Sequence, residues 1–152
     1  MDGMQHARPM RLIETTIDIR APATRIWSIL TAFSAYPAWN PFIIAAEGEA
    51  RPATRLKITI APPGRAPITF RPVVLVAVPE RELRWLGRLL LPRLFDGEHE
   101  FHLEQRDAAC RFHHSERFSG ILLPLFGDGL FQATREGFEA MNAALKKRAE
   151  AD

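Results

Sequence analysis

Two stretches in the second half of the sequence place histidine and carboxylate side chains among apolar residues. In each stretch these side chains occupy every second position. The first stretch has His99, Phe101 and Leu103, and the second has Phe112, His114, Glu116 and Phe118. Because residues two apart on a strand share a face, we expect both sets to point into the protein interior. There they could orient a ligand, satisfy each other as internal hydrogen-bond partners, or transfer protons as catalytic acid and base.

Other kinds of chemistry find less support in the spacing. His113 and His114 are neighbours and would point to opposite faces of a strand, so they cannot both enter one metal site. Ser115 should face outward, and no order of acid, histidine and serine suggests a hydrolytic triad. The Gly127-Asp128-Gly129 run lacks the strand context of a phosphate-binding loop. We therefore expect neither a metal nor another cofactor.

The first elements that position these residues follow from periodicity. Residues 12–20 alternate apolar and polar side chains, which predicts a half-buried strand. Pro22 suits the first turn of a helix, and a second short helix is predicted over 33–38. Asn40-Pro41 should end that helix, because the residue before a proline is pushed out of the helical region.

The rest of the chain reads as strands followed by one long helix. Six strands are predicted over 43–47, 55–61, 68–78, 82–89, 95–104 and 109–118. Pro72 lacks an amide donor, so we expect an edge, a bulge or a strand start there. Apolar residues at helical spacing predict a helix over 125–148, with Phe138 and Met141 on its inner face. Helices segregated from an antiparallel sheet of about seven strands define an α+β fold.

The last two strands should form a hairpin through residues 106–108. Counting back from that turn pairs residues 104 and 109 or their neighbours, so residue 99 should lie near residue 114. Glu116 would then be one diagonal step from His99, within reach of a direct or water-mediated hydrogen bond.

Composition limits the classes of protein to consider. The chain has 152 residues, of which 47% are hydrophobic and 25% charged, a net charge of +2 and one cysteine. We expect a disordered leader over 1–10 and one domain over 11–152. Dispersed arginines argue against a nucleic-acid partner, and short apolar runs argue against stable membrane insertion. A single cysteine suits a reducing compartment, which predicts a cytoplasmic location.

Three segments resemble one known family. The run 36–42, Tyr-Pro-Ala-Trp-Asn-Pro-Phe, is joined by the segments 97–103 and 112–120. Together with the terminal helix they resemble the polyketide cyclase and START-like superfamily, whose uncharacterised bacterial members share the birch-pollen-allergen helix-grip fold. The resemblance covers roughly residues 11–148. It implies a curved sheet wrapped around the C-terminal helix, with a cavity between them.

From this resemblance we expect a small hydrophobic ligand, lipid-like or polyketide-like, inside the cavity. The expected cavity residues are Trp39 at the entrance and, along the walls, His99, Phe101, Phe112, His114, Glu116, Phe118, Phe138 and Met141. The apolar run 121–126 should be a pocket lid or core segment rather than a membrane-touching lip or a partner contact. Two alternatives stay open: a cyclase-like or dehydratase-like enzyme that uses the histidines and Glu116 for proton transfer, and an interaction module with a filled core. The sequence leaves the oligomeric state open.

Overall fold

A computed structural model describes residues 9–89 and 93–151 of the chain. Its strands are β1 (Met10–Ile19), β2 (Ile43–Glu47), β3 (Lys57–Ile60), β4 (Ile68–Phe70), β5 (Val73–Val78), β6 (Glu82–Leu89), β7 (Phe95–Arg106) and β8 (Ala109–Ser119). Its helices are α1 (Ala23–Thr31), α2 (Asp128–Glu150) and two short 3-10 helices, Phe33–Ala38 and Leu123–Leu125. The predicted order of elements is confirmed.

The strands form two antiparallel sheets that meet at a proline. Five strands run in the order β1-β8-β7-β6-β5, and three run in the order β2-β3-β4. The described part of the chain has eight strands rather than about seven, because Pro72 divides the predicted strand 68–78 into β4 and β5. The Pro72 carbonyl accepts a 2.8 Å bond from the amide of Leu56, and Val74 donates to Thr54 at 2.9 Å. These bonds join the two sheets at a bend.

The start of β1 corrects the predicted leader. Met10 already lies in the strand, opposite Ser119 of β8, so the leader cannot extend to residue 10. Residues 1–8 lie outside the described part of the chain.

The long helix α2 is amphipathic and bonded to α1 at its C-terminal end. Its inner stripe includes Phe131, Phe138, Met141 and Leu145, each at most 3% exposed. Arg25 of α1 donates from Nε to the Ala149 carbonyl at 2.6 Å, which satisfies one of the free acceptors that a helix C-terminus presents. Helix α2 therefore lies inside the curve of the sheets, as predicted.

The hairpin of β7 and β8 confirms the predicted faces and corrects the predicted register. Only Asp107-Ala108 forms the turn, with Asp107 at φ 48°. Glu104 therefore pairs with Arg111 rather than with Ala109, while the neighbouring residues Gln105 and Cys110 do pair, and His99 lies directly opposite Glu116 instead of one diagonal step away. A shift of two residues leaves every side chain on its own face. His99 and His114 are 3% and 0% exposed, so both point inward as predicted.

The Asn40-Pro41 segment anchors the chain against α2. Asn40 Oδ1 accepts bonds from the amides of Phe42 at 3.0 Å and Ile43 at 2.9 Å. The Phe42 ring lies so close to Gly137 that a Cβ there would collide with it. Phe42 also meets Phe138 edge to face, with ring centroids 5.4 Å apart. A glycine in mid-helix is thus required for close packing rather than for a turn.

We expect Phe138→Ala to lower the free energy of unfolding by about 3–5 kcal/mol, because the ring is fully buried and truncation leaves a cavity. Chemical denaturation measures this change. Leu125→Ala is the matched control, since Leu125 is 78% exposed and its truncation should change stability by less than about 0.5 kcal/mol. A Phe138→Ala loss no larger than that of the control would contradict a filled core at this position.

Candidate functional site

An apolar pocket of about 180 Å³ lies between the sheets and the first half of α2, and it is partly open to solvent. Strands β3, β4, β6, β7 and β8 contribute to its walls, together with α2 and the segment before it. The lining residues are Ile60, Pro62, Ile68, Phe70, Gly87, Arg88, Phe95, Gly97, Glu116, Phe118, Phe126, Leu130 and Thr134. Such a concave apolar site with few polar groups is typical of small-molecule binding.

Two glycines form the floor of the pocket. Gly87 of β6 and Gly97 of β7 lie directly opposite each other in the sheet. A Cβ on Gly97 would approach Glu116 Oε1 to 2.8 Å, and one on Gly87 would approach the Phe70 ring to 3.2 Å. Because neither residue has a side chain, space remains above the sheet for the carboxyl group and the ring. Glycines inside strand patterns often mark such close approaches, and this signal could have located the pocket from the sequence.

Only two of the nine residues expected at the cavity line this pocket. Glu116 and Phe118 do so, as does Phe126 of the run 121–126, which the sequence analysis interpreted as a lid or core segment. The remaining residues except Trp39 are packed in the closed interior, each at most 3% exposed: His99, Phe101, Phe112, His114, Phe138 and Met141. Trp39 is half-buried and packs against Tyr36, with ring centroids 5.3 Å apart.

A chain of buried polar groups begins behind the pocket. His99 Nε2 lies 2.9 Å from His114 Nε2, and His114 Nδ1 lies 2.8 Å from Asn142 Oδ1. Asn142 Nδ2 donates to Thr15 Oγ1 at 2.8 Å, and Thr15 Oγ1 donates to the His114 carbonyl at 2.8 Å. At the other end, His99 Nδ1 lies 3.7 Å from Glu116 Oε2. This series of polar groups therefore extends from β1 through α2, β8 and β7 to the pocket wall.

The hydrogen bonds of Thr15 determine which atom donates and which accepts in each bond of this series of buried polar groups. Since the Thr15 hydroxyl hydrogen goes to a carbonyl, Thr15 accepts from the Asn142 amide, which leaves Asn142 Oδ1 facing His114. His114 must then donate from Nδ1, and in the neutral ring Nε2 accepts. It follows that His99 donates from Nε2 and turns Nδ1 toward Glu116.

Burial holds His114 in that neutral form. Desolvation lowers the pKa of His114 well below 6.5, and the charge of His99 adds to this, while the bond to Asn142 acts in the opposite sense. The His114 ring also stacks on Phe138, with centroids 3.9 Å apart and planes at 10°. His114 is therefore a structural donor and acceptor in the interior, and Glu116 is the member of the chain that reaches the pocket.

The remaining histidines of the hairpin lie on the opposite face of the sheet. His113 is 3.2 Å from Glu104 Oε2 and 3.3 Å from Thr16 Oγ1, in half-exposed surroundings. Among residues 9–89 and 93–151, no three side chains of the metal-binding types converge. No helix in these two ranges is long and apolar enough to cross a membrane.

We expect the free energy of unfolding to fall as the pH drops below 6.5. The unfolded chain binds a proton at His114 there that the folded chain excludes, and the slope approaches about 1.4 kcal/mol per pH unit until the folded pKa is reached. Denaturation at pH 7.5, 6.0 and 5.0 measures this. His114→Gln should flatten the slope, whereas His102→Gln on the outer face should leave it unchanged; equal slopes in all three proteins would contradict the assignment.

Comparison with known proteins gives a consistent result at the level of fold. A START superfamily protein from Mycobacterium smegmatis is 22% identical with a TM-score of 0.72, and the match covers 91% of this chain and 97% of that one. Major latex-like protein 151 from Panax ginseng is 5% identical with a TM-score of 0.75, covering 93% and 99%. The di-domain ARO/CYC protein StfQ from the steffimycin biosynthetic pathway is 14% identical with a TM-score of 0.69, covering 93% of this chain and 51% of StfQ. A search of curated proteins found no match.

These structures share an antiparallel sheet wrapped around a long C-terminal helix, so the chain has the helix-grip α+β fold that its sequence predicted. The family model described as "Polyketide cyclase / dehydrase and lipid transport" matches residues 10–150, nearly the whole chain. The chain belongs to the polyketide cyclase / dehydrase and lipid transport family.

Proposed function

We propose that the chain binds a small apolar compound of one or two rings in the pocket above Gly87 and Gly97. The observation that carries this proposal is an apolar pocket of about 180 Å³ that is partly open to solvent. An apolar protein cavity of about 150 Å³ accommodates benzene, so the volume suits a ring compound better than a long acyl chain. The family description, which includes both lipid transport and polyketide chemistry, is compatible with such a ligand.

Three phenylalanines give the pocket an aromatic wall. Phe95 lies between Phe126 and Phe118, with ring centroids 4.4 Å and 5.8 Å away respectively. Phe126 belongs to the run 121–126, which would act as the lid that its sequence suggests. A flat ligand can stack on this wall, and offset or edge-to-face aromatic contacts add about 0.5–1.5 kcal/mol to simple burial.

The expected affinity is moderate. A phenyl-sized group buries about 150–250 Å², which at about 25 cal/mol per Å² gives about 4–6 kcal/mol. That range corresponds to a Kd between about 1 mM and about 30 μM. Binding experiments must therefore reach millimolar ligand.

Leu130→Trp should weaken binding of indene at least about tenfold, because Leu130 lines the pocket and a larger side chain there fills it. Titration followed by amide chemical shifts gives the Kd and the location of the ligand. Leu125→Trp is the matched control, since Leu125 is 78% exposed and does not line the pocket. Unchanged binding in Leu130→Trp, or shifts that map away from the pocket, would refute the proposal.

A second candidate function is acid–base catalysis on a carbonyl compound. It is favoured by one observation: Glu116 lines the pocket and has the His99 ring 3.7 Å behind its carboxyl group. The Glu116 carboxylate could accept a proton from a carbon next to a carbonyl and return it to that carbon. The same geometry serves a binding protein, in which Glu116 orients the ligand.

Glu116→Gln separates these two roles. In an enzyme it should abolish turnover with binding largely kept, whereas in a binding protein it should weaken binding without unfolding the chain. Exchange of the α-hydrogens of 1-indanone in D₂O, measured by mass spectrometry, reports the proton transfer. Enzymatic exchange should exceed the buffer rate by about 10²-fold or more, and exchange at the buffer rate in the wild type would exclude this reaction for 1-indanone.

A further inference from the structure

The pocket contains one polar group whose hydrogen-bonding capacity is left for a ligand. Among the lining residues that the structure describes, three have polar side chains, Arg88, Glu116 and Thr134. The Thr134 hydroxyl already donates to the Leu130 carbonyl at 2.8 Å. Arg88 is exposed at the surface, whereas the Glu116 side chain is 13% exposed. Among the described residues no group donates a hydrogen bond to the Glu116 carboxyl group, and the basic nitrogen within 4 Å of it is His99 Nδ1.

The surroundings of Glu116 decide which of its oxygens meets the ligand. Oε2 lies toward His99, at 3.7 Å from Nδ1. Oε1 lies over Gly97, where a Cβ would come within 2.8 Å of it and the carboxyl group would have to move aside. His99 Nδ1 therefore faces Oε2, while Oε1 lies above the glycine floor. Since a carboxylate oxygen accepts hydrogen bonds and has none to give, the complementary group on a ligand is a donor.

Selectivity among ligands follows from the free-energy cost of leaving Glu116 Oε1 without a hydrogen-bond donor. A ligand that fills the pocket removes water from the carboxyl group, and a buried acceptor without a donor loses its hydration without compensation. A ligand that brings an N–H or O–H group replaces the water. Sites built around a buried polar group reject analogues that lack the matching group much more strongly than analogues of slightly different size.

We propose that the pocket selects ring compounds that carry one N–H or O–H donor and that this donor binds Glu116. This inference rests on the proposed binding function and specifies its ligand class. Asn142 and Thr15 would act as positioning residues. Their hydrogen bonds fix the donor and acceptor roles in the series of polar groups that turns His99 Nδ1 toward Glu116.

Three bicyclic probes of nearly equal shape test the inference: indole, which has an N–H group, indene, which has a CH₂ group there, and benzofuran, which has an acceptor oxygen. Wild-type protein should bind indole at least about tenfold more tightly than either of the other two, the size expected of one hydrogen bond to a charged group. In Glu116→Met, which is similar in length but apolar, the three Kd values should agree within about threefold. Thr134→Val, which removes the other buried polar group of the pocket, should retain the wild-type preference for indole.

A direct readout in the wild type avoids dependence on the folding of the variant. The N–H proton of ¹⁵N-labelled indole should move downfield on binding, as expected for donation to a carboxylate. Equal Kd values for all three probes in the wild type would overturn the donor preference and leave the proposed pocket function standing. A preference that persists in Glu116→Met would overturn the role of Glu116, and failure of every probe to bind the wild type would reject the binding function itself.

Discussion

The contact between Phe138 and His114 is the interaction on which the arrangement of helix and sheet depends. The two rings stack 3.9 Å apart, and the histidine is fully buried between α2 and β8. A neutral imidazole in that position needs a partner at each nitrogen, and it finds Asn142 on α2 and His99 on β7. Apolar packing alone tolerates small sliding of a helix along a sheet, whereas the hydrogen bonds of His114 form only when the helix lies at one position. We therefore attribute the placement of α2 to the polar chain together with the ring stack.

The fixed helix divides the interior into a filled half and an open half. Beyond His114 the side chains of Met141 and Leu145 close the space completely, both at 0% exposure. Toward the helix N-terminus the floor is the pair Gly87 and Gly97, and the space above it stays open as the pocket. Glu116 lies at the boundary, with His99 on its closed side. A polar group at this boundary can contact a ligand in the pocket and also lie against His99 in the closed interior.

The sequence predicts the elements and faces of this structure better than its site. Alternation is a local property, so the inward direction of His99 and Glu116 could be deduced from their own strands. Register depends on the turn, and the tight Asp107-Ala108 turn moves the pairing by two residues without changing any face. The pocket depends on contributions from six elements, whose relative positions no local pattern encodes. The expectation that all inward aromatic residues line a cavity therefore overlooked that most of them fill space against each other.

Trp85 connects the buried histidines to the ligand pocket. Its indole ring stacks on His99, with centroids 4.8 Å apart and planes at 9°. The His99 ring is therefore held on one face by Trp85 and at its Nε2 edge by His114. Because both contacts fix the ring, Nδ1 has a defined place 3.7 Å from Glu116 Oε2, and the carboxyl group has a fixed neighbour on its closed side. The buried histidines thus contribute to the site by positioning Glu116, although they form no part of the pocket wall.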